Sequence, residues 1–218
     1  MTEQNLPVFA GISPEEYEDM AACGCIRRAE YRRETVIFRT GDRTDVFGVL
    51  LAGKVHVESL DLWGNRMILH SIGPGQAFAE TYAFCQVPMM VDVKAVEDSR
   101  VLFVDAAALL SPANRNRAWY PGMLRNLLLL SAEKNLAWSR RMFCISPKSV
   151  RTRVMTYLSA EARRLGSRKI AIPFDRQQMA DYLNVERSAL SKELGRMREE
   201  GILDFRKNQF SLLRLDEV

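Results

Sequence analysis

The 218-residue chain carries 47% hydrophobic and 27% charged residues, which excludes a disordered or fibrous protein and leaves room for two small domains or one large one. No apolar run is long enough to span a membrane, and residues 1–9 lack a basic stretch followed by an apolar core, so a cytoplasmic protein with no membrane partner is expected. The net charge of +4 is uneven: residues 148–218 hold 15 Lys and Arg against 10 Asp and Glu, and the first 147 residues hold 16 against 17. A basic module beside a neutral one points to a polyanion as the partner of that module. In a reducing compartment Cys23, Cys25, Cys85 and Cys144 are free thiols, not a disulfide framework.

Residues 14–22 read as a short helix, with Ser13 as cap, Pro14 at the first helical position, and Glu15 and Glu16 at the positive helix end. From Ala29 to Asp105 short Val, Ile, Leu and Phe runs at 35–38, 46–51, 55–60 and 67–72 alternate with turn signals. Those signals are Gly41-Asp42, Ala52-Gly53-Lys54, Gly64-Asn65 and Gly73-Pro74-Gly75. Val55-His56-Val57-Glu58 alternates as a half-buried strand does, and Trp63-Gly64-Asn65-Arg66 supplies a tight hairpin turn. Strands at 91–96 and 100–104 close what the spacing predicts to be a small antiparallel barrel or jelly roll.

After Pro121 the period changes. Met123, Leu124, Leu127, Leu128, Ser131, Asn135, Trp138 and Met142 largely follow steps of three and four along one helix over 121–143. So long a stripe fits pairing of two chains, and the continuous run 127–130 also allows one face to pack on the roll. Pro147 marks the break into the next module.

The strongest motif follows. Asp175 caps a helix and Gln178, three residues on, completes a capping box. Ala180 is small where two helices cross, and Asn184 sits where a left-handed turn is needed. A second helix over 186–200 turns Val185, Leu190 and Leu194 inward, with Glu193 where an apolar residue would be usual. This is the spacing of a helix-turn-helix, whose second helix enters the major groove by its N-terminal turns. Arg187 suits a bidentate bond to guanine; Ser188 and Ser191 suit bases or phosphates, and Lys192 either. Arg176, beside Gln177 at the start of the first helix, suits a backbone phosphate. Residues 201–205 and 209–213 around Lys207-Asn208 read as a β-hairpin wing.

With these motifs the chain resembles the CRP/FNR family of bacterial regulators from about Phe9 to Leu215. The further markers are Glu34-Thr35-Val36-Ile37-Phe38-Arg39-Thr40-Gly41-Asp42, Leu51-Ala52-Gly53-Lys54-Val55 and Ile72-Gly73-Pro74-Gly75-Gln76-Ala77-Phe78-Ala79-Glu80. The resemblance implies an α+β chain: a cyclic-nucleotide-binding-like antiparallel β-roll (jelly-roll) over 1–120, a dimerisation helix over 121–146 and a winged helix-turn-helix over 147–218. It also implies a homodimer on a near-palindromic double-stranded DNA site, contact with RNA polymerase, and a small-molecule effector.

The effector is where the pattern departs. Cyclic-AMP-binding members of the family carry a Gly-Glu pair for the ribose and an arginine pair for the phosphate. Here Ala79-Glu80 keeps only the acid, residues 85–91 contain no arginine, and Met89-Met90 stand where the clamp belongs. Trp138-Ser139 falls where the family's helix offers small hydroxyl residues to adenine. Glu80, Met89, Met90 and Trp138 are thus the candidate effector pocket, with cyclic AMP disfavoured. Cys23-Gly24-Cys25 is not the spacing of the family's iron–sulfur members, and on a helix its two thiols would point to nearly opposite sides. His56, His70, Met67, Met89 and Met90 are conceivable haem ligands, but the cofactor is left unassigned. A cyclic-nucleotide-binding module without a DNA role is the alternative, weakened by the basic C-terminal third. No Ser/His/Asp grouping or paired metal-ligand motif suggests an enzyme.

Overall fold

The computed structural model describes residues 6–60 and 66–214, which divide into two compact units, Met1–Leu130 and Ser131–Val218. In the first, α1 (Pro14–Ala22) is closed by a reciprocal capping box: the Glu16 amide donates to Ser13 Oγ at 3.2 Å and the Ser13 amide to Glu16 Oε2 at 2.8 Å. Eight strands follow: β1 (Ile26–Tyr31), β2 (Val36–Phe38), β3 (Val46–Ala52), β4 (Val55–Leu60), β5 (Arg66–Ile72), β6 (Ala77–Phe78), β7 (Asp92–Ala95) and β8 (Ser99–Asp105). They form two antiparallel sheets, ordered β1-β8-β3-β6 and β2-β7-β4-β5. The tight turn expected at Trp63-Gly64-Asn65-Arg66 lies outside the described residues up to Arg66, where β5 begins.

Alternation decides which side chains face which core. On β8, Val101 and Phe103 point into the roll, while Leu102 and Val104 point to the opposite face of the sheet. The roll interior is a ladder of edge-on rings, Tyr31 on Phe103 at 6.2 Å, Phe103 on Phe38 at 5.9 Å and Phe38 on Phe78 at 6.2 Å. Gly48 makes room for it: a Cβ there would stand 2.2 Å from the Phe78 ring. Short helices α2 (Glu80–Cys85) and α3 (Ala106–Leu110) precede the long helix α4 (Trp119–Ile145). The outer face of the first sheet is covered by Phe9, Tyr17, Met20, Leu109, Trp119 and Met123. Polar bonds pin this layer. Trp119 Nε1 donates to Asp19 Oδ2 at 2.8 Å, and buried Asn126 Nδ2 donates to the carbonyls of Val8 at 3.1 Å and Ala10 at 2.9 Å.

The stripe read along α4 therefore divides. Met123, Leu124 and Leu127 pack on their own unit, while Leu128 (71% exposed), Trp138 and Met142 face outward with Ser131 and Asn135. Leu129, Leu136 and Phe143, spaced by seven, are exposed as well.

The second unit contains the end of α4, α5 (Val150–Leu165), β9 (Lys169–Ala171), α6 (Arg176–Leu183), α7 (Arg187–Glu199), β10 (Leu203–Arg206) and β11 (Gln209–Leu212). Its three strands run in the order β10-β11-β9. Cys144, Val154, Leu158, Met179, Ala180, Leu190, Leu194 and Phe210 meet in one core. The wing expected around Lys207-Asn208 is the β10–β11 hairpin, with Lys207 in the left-handed region at φ 55°.

Candidate nucleic-acid interface

Local chemistry fixes the helix-turn-helix. Asp175 Oδ1 accepts from the Gln178 amide at 2.8 Å while Gln178 Oε1 accepts from the Asp175 amide at 2.9 Å, so α6 starts on a complete capping box. It ends at Asn184, which is left-handed at φ 51°. Ala180 is fully buried, as the helix crossing requires. Leu190, Leu194 and Met197 seat α7 in the core, with Val185 partly buried against it, and Arg187, Ser188, Ser191 and Lys192 are all exposed. The seated face thus aims the first turns of α7 outward.

Arg176, read as suited to a backbone phosphate, is stacked on the wing. Its guanidinium lies over the wing rings of Phe205 at 5.0 Å and Phe210 at 5.7 Å, and Nη2 donates to the Lys207 carbonyl at 3.4 Å. Burial, then the neighbouring Arg198 charge, lowers its pKa. Gln177 is exposed, and its amide donates to Asp181 Oδ1 at 2.8 Å. A cleft of about 520 Å³ opens between the start of α6 and the wing, lined by Phe174, Asp175, Arg176, Lys207 and Asn208 among others.

The sequence reading missed the residues that hold this surface rigid. Arg151 on α5 forks to both Glu200 oxygens at 2.7 and 2.8 Å and to Glu193 Oε1 at 2.7 Å. That explains the acid at Glu193: at this position an ion pair to Arg151 adds to the apolar packing of α7 on α5. Hydrogen bonding from Arg151 holds the Glu200 carboxyl below its ordinary pKa. Arg153 caps the helix-turn-helix turn through the carbonyls of Leu183 at 3.1 Å and Asn184 at 2.7 Å. Arg141 donates to the carbonyls of Asp181 and Tyr182 at 3.0 and 3.1 Å. No signal along the chain marks these arginines, since their partners lie 30 to 49 residues away.

Of the four candidate effector residues, Met89 and Met90 do not share one environment. Met89 is 2% exposed in the roll-interior cluster, whereas Met90 is 75% exposed. Glu80 is half-buried at the first turn of α2, after Ala79 in the left-handed region at φ 65°. Trp138 belongs to the second unit, with the Arg141 guanidinium 5.7 Å from its ring. The thiols also differ from expectation. Cys23 and Cys25 are not on a helix, because α1 ends at Ala22 and Gly24 turns left-handed at φ 77°; their sulfurs converge to 2.9 Å. Cys85 is exposed and Cys144 buried.

A basic winged helix-turn-helix following a cyclic-nucleotide-binding-type roll defines a DNA-binding regulator. The family model of the cyclic nucleotide-binding domain matches residues 28–116, and that of the Crp-like helix-turn-helix domain matches residues 152–217. The chain is 25% identical over 197 residues to the cyclic AMP receptor protein of Thermus thermophilus, covering 90% of this chain and 88% of the relative. It is 25% identical over 217 residues to the nitrogen fixation regulation protein FixK of Azorhizobium caulinodans, covering 95% and 82%. The crystal structure of the Thermus thermophilus catabolite activator protein superposes with a TM-score of 0.51 at 25% identity, over 96% of this chain and 94% of that one. The chain belongs to the CRP/FNR family and is a DNA-binding transcription regulator of that type. Among the described residues no helix is long and apolar enough to cross a membrane.

Proposed function

We propose that the regulator works in the cytoplasm as a homodimer on a near-palindromic DNA site, with the first turns of α7 in the major groove of each half-site. The observation that carries this reading is the division of α7 into a fully buried apolar face and an exposed one bearing Arg187, Ser188, Ser191 and Lys192. Arg187 reads a guanine edge; Ser188 and Ser191 bond bases or phosphates; Lys192 adds charge at the same face. Gln177 and Arg176 meet the phosphate backbone beside the wing, Arg176 from its stacked position. The outward stripe of Leu129, Leu136 and Phe143, with Leu128 and Met142 beside it, recurs every seven residues and suits pairing with the same helix of a second copy. Such pairing sets the two recognition helices about 34 Å apart, one turn of DNA.

The reading extends to the effector and to RNA polymerase, the partner that family membership suggests. One relative is named for cyclic AMP, but residues 85–91 here offer a phosphate no arginine, and Met89 fills the roll interior instead. Losing such charge-assisted bonds costs roughly 1.5–3 kcal/mol each, which disfavours cyclic AMP and leaves the effector unidentified. Regulators as relatives, and no catalytic grouping in the sequence, favour a role without catalysis.

The test is Arg187→Ala on a cognate site selected from random DNA. The variant should lose about 1–3 kcal/mol of binding and relax its preference at one base pair per half-site. Unchanged base preference would remove Arg187 from the reading surface.

A further inference from the structure

The thiol pair at the end of α1 has a built environment. The Cys23 amide bonds the Asp19 carbonyl, the Gly24 amide that of Ala21 and the Cys25 amide that of Met20, each at 3.0 to 3.1 Å. This left-handed helix stop folds the chain back on itself and places the Cys23 sulfur 2.9 Å from the Cys25 sulfur. The two differ in access: Cys23 is half-buried and Cys25 wholly buried. Cys25 Sγ in turn accepts a hydrogen bond at 3.4 Å from Nδ2 of buried Asn114, whose amide also donates to the Ala108 carbonyl at 2.8 Å. Asn114 closes the single turn Pro112–Asn114 just ahead of α4. The same end of α1 holds Trp119, the first residue of α4, through Asp19. Cys25 therefore sits at the seat of the long helix.

We propose that Cys23 and Cys25 form a dithiol that peroxide closes to a disulfide, and that closure loosens the seat of α4. Cys23, the reachable sulfur, attacks a peroxide oxygen; the O–O bond breaks, giving a Cys23 sulfenic acid, and the departing hydroxide takes the Cys23 proton as water. Cys25 then displaces the hydroxyl from the Cys23 sulfur. The S–S bond forms, the Cys25 proton leaves with the hydroxyl as a second water, and the two electrons lost by the thiols are those gained by peroxide. Burial, reinforced by the neighbouring Cys23 thiol, pushes Cys25 up to about 12, so it stays protonated and does not meet oxidant first. Drawing its sulfur toward Cys23 weakens its bond from the Asn114 amide, leaving that buried amide only the Ala108 carbonyl as acceptor, beside the start of α4.

The full-length reduced protein, titrated with hydrogen peroxide, tests this. The peptide carrying both residues should become lighter by two hydrogens and resist alkylation until reduced with dithiothreitol, and amide exchange over residues 112–123 should rise. On the proposed DNA-binding role, on which only this last readout rests, operator affinity should fall about ten-fold. A Cys85→Ser variant should behave as wild type, because the exposed thiol is not used, and Cys23→Ser should lose every response. Cys23 is the residue to replace, since a hydroxyl at Cys25 would lie in an apolar core. Absence of the bond while Cys85 oxidises, a bond with unchanged exchange over 112–123, or a response that survives Cys23→Ser would each overturn the proposal. Reduced protein that binds no operator counts against the DNA-binding role alone, and the bond and exchange readouts still decide this one.

Discussion

The two units place their chemistry oppositely. In the second, apolar side chains draw together beneath α6 and α7 and the cationic groups stand outside, at Arg187 and Lys192 on the helix and around the wing. In the first, the space between the sheets is occupied by the Tyr31, Phe103, Phe38 and Phe78 rings with Met89 among them. A surface that reads DNA needs only a rigid backing and exposed groups at helical spacing. A ligand site inside a roll needs space and a partner for each ligand polar group, and here rings and a thioether fill the interior. The exposed chemistry of the second unit thus lies on its outside, while the interior of the roll is packed as a core.

The largest effect expected from that contrast lies inside the roll. Met89→Ala removes a 2% exposed side chain and should destabilise the protein by roughly 2–5 kcal/mol. Met90→Ala, at 75% exposure, should change stability by less than about 0.5 kcal/mol. Urea unfolding of both variants decides it. Equal and small losses would mean that Met89 borders a cavity and that the roll is more open than a packed core. Next comes Gly48→Ala, whose added methyl meets the Phe78 ring and should cost about 1–3 kcal/mol in the same measurement. A neutral Gly48→Ala would show that the ladder yields, as a roll able to admit a ligand would.

What was legible in the sequence follows the range of the interaction. The Ser13 cap, the Asp175–Gln178 box and the Asn184 turn depend on atoms within four residues, and each stands where the sequence placed it. The strand at 55–60 and the seating of Leu190 and Leu194 depend on period alone and were equally plain, but the alternation read at 55–58 breaks at a register shift between Val57 and Glu58, which leaves Glu58 buried. What stayed hidden needed distant partners. Glu193 looked out of place because Arg151 is 42 residues away, and the stacking of Arg176 had no local signal because its wing rings lie about 30 residues downstream. Met89 and Met90 differ only by which sheet face the chain presents. The thiols were read with helical geometry, and one glycine at positive φ reversed their relation.

A smaller effect separates the wing from the recognition helix within the second unit. Arg176→Ala loses two ring contacts, worth about 1 kcal/mol of stability for a part-buried guanidinium. It should weaken DNA binding evenly across sequences, lowering the salt dependence by about one phosphate contact. A change in base preference instead would move Arg176 from backbone positioning to readout.

The smallest effect is confined to acid. Arg151 holds the Glu200 carboxyl below its ordinary range, so the folded chain binds that proton less tightly than the unfolded chain does. The stabilisation from this pair is thus complete above the usual carboxylate pKa of about 4.3 and is lost as pH falls through the lowered folded value. Glu200 is open to solvent, so salt should weaken the effect as well. Melting temperatures from neutral pH down into this range should fall more steeply for the wild type than for Glu200→Gln, and the gap should narrow in high salt. Parallel acid limbs would mean that the fork does not brace α7 against α5, and that the apolar seat of Leu190, Leu194 and Met197 alone aims the recognition helix.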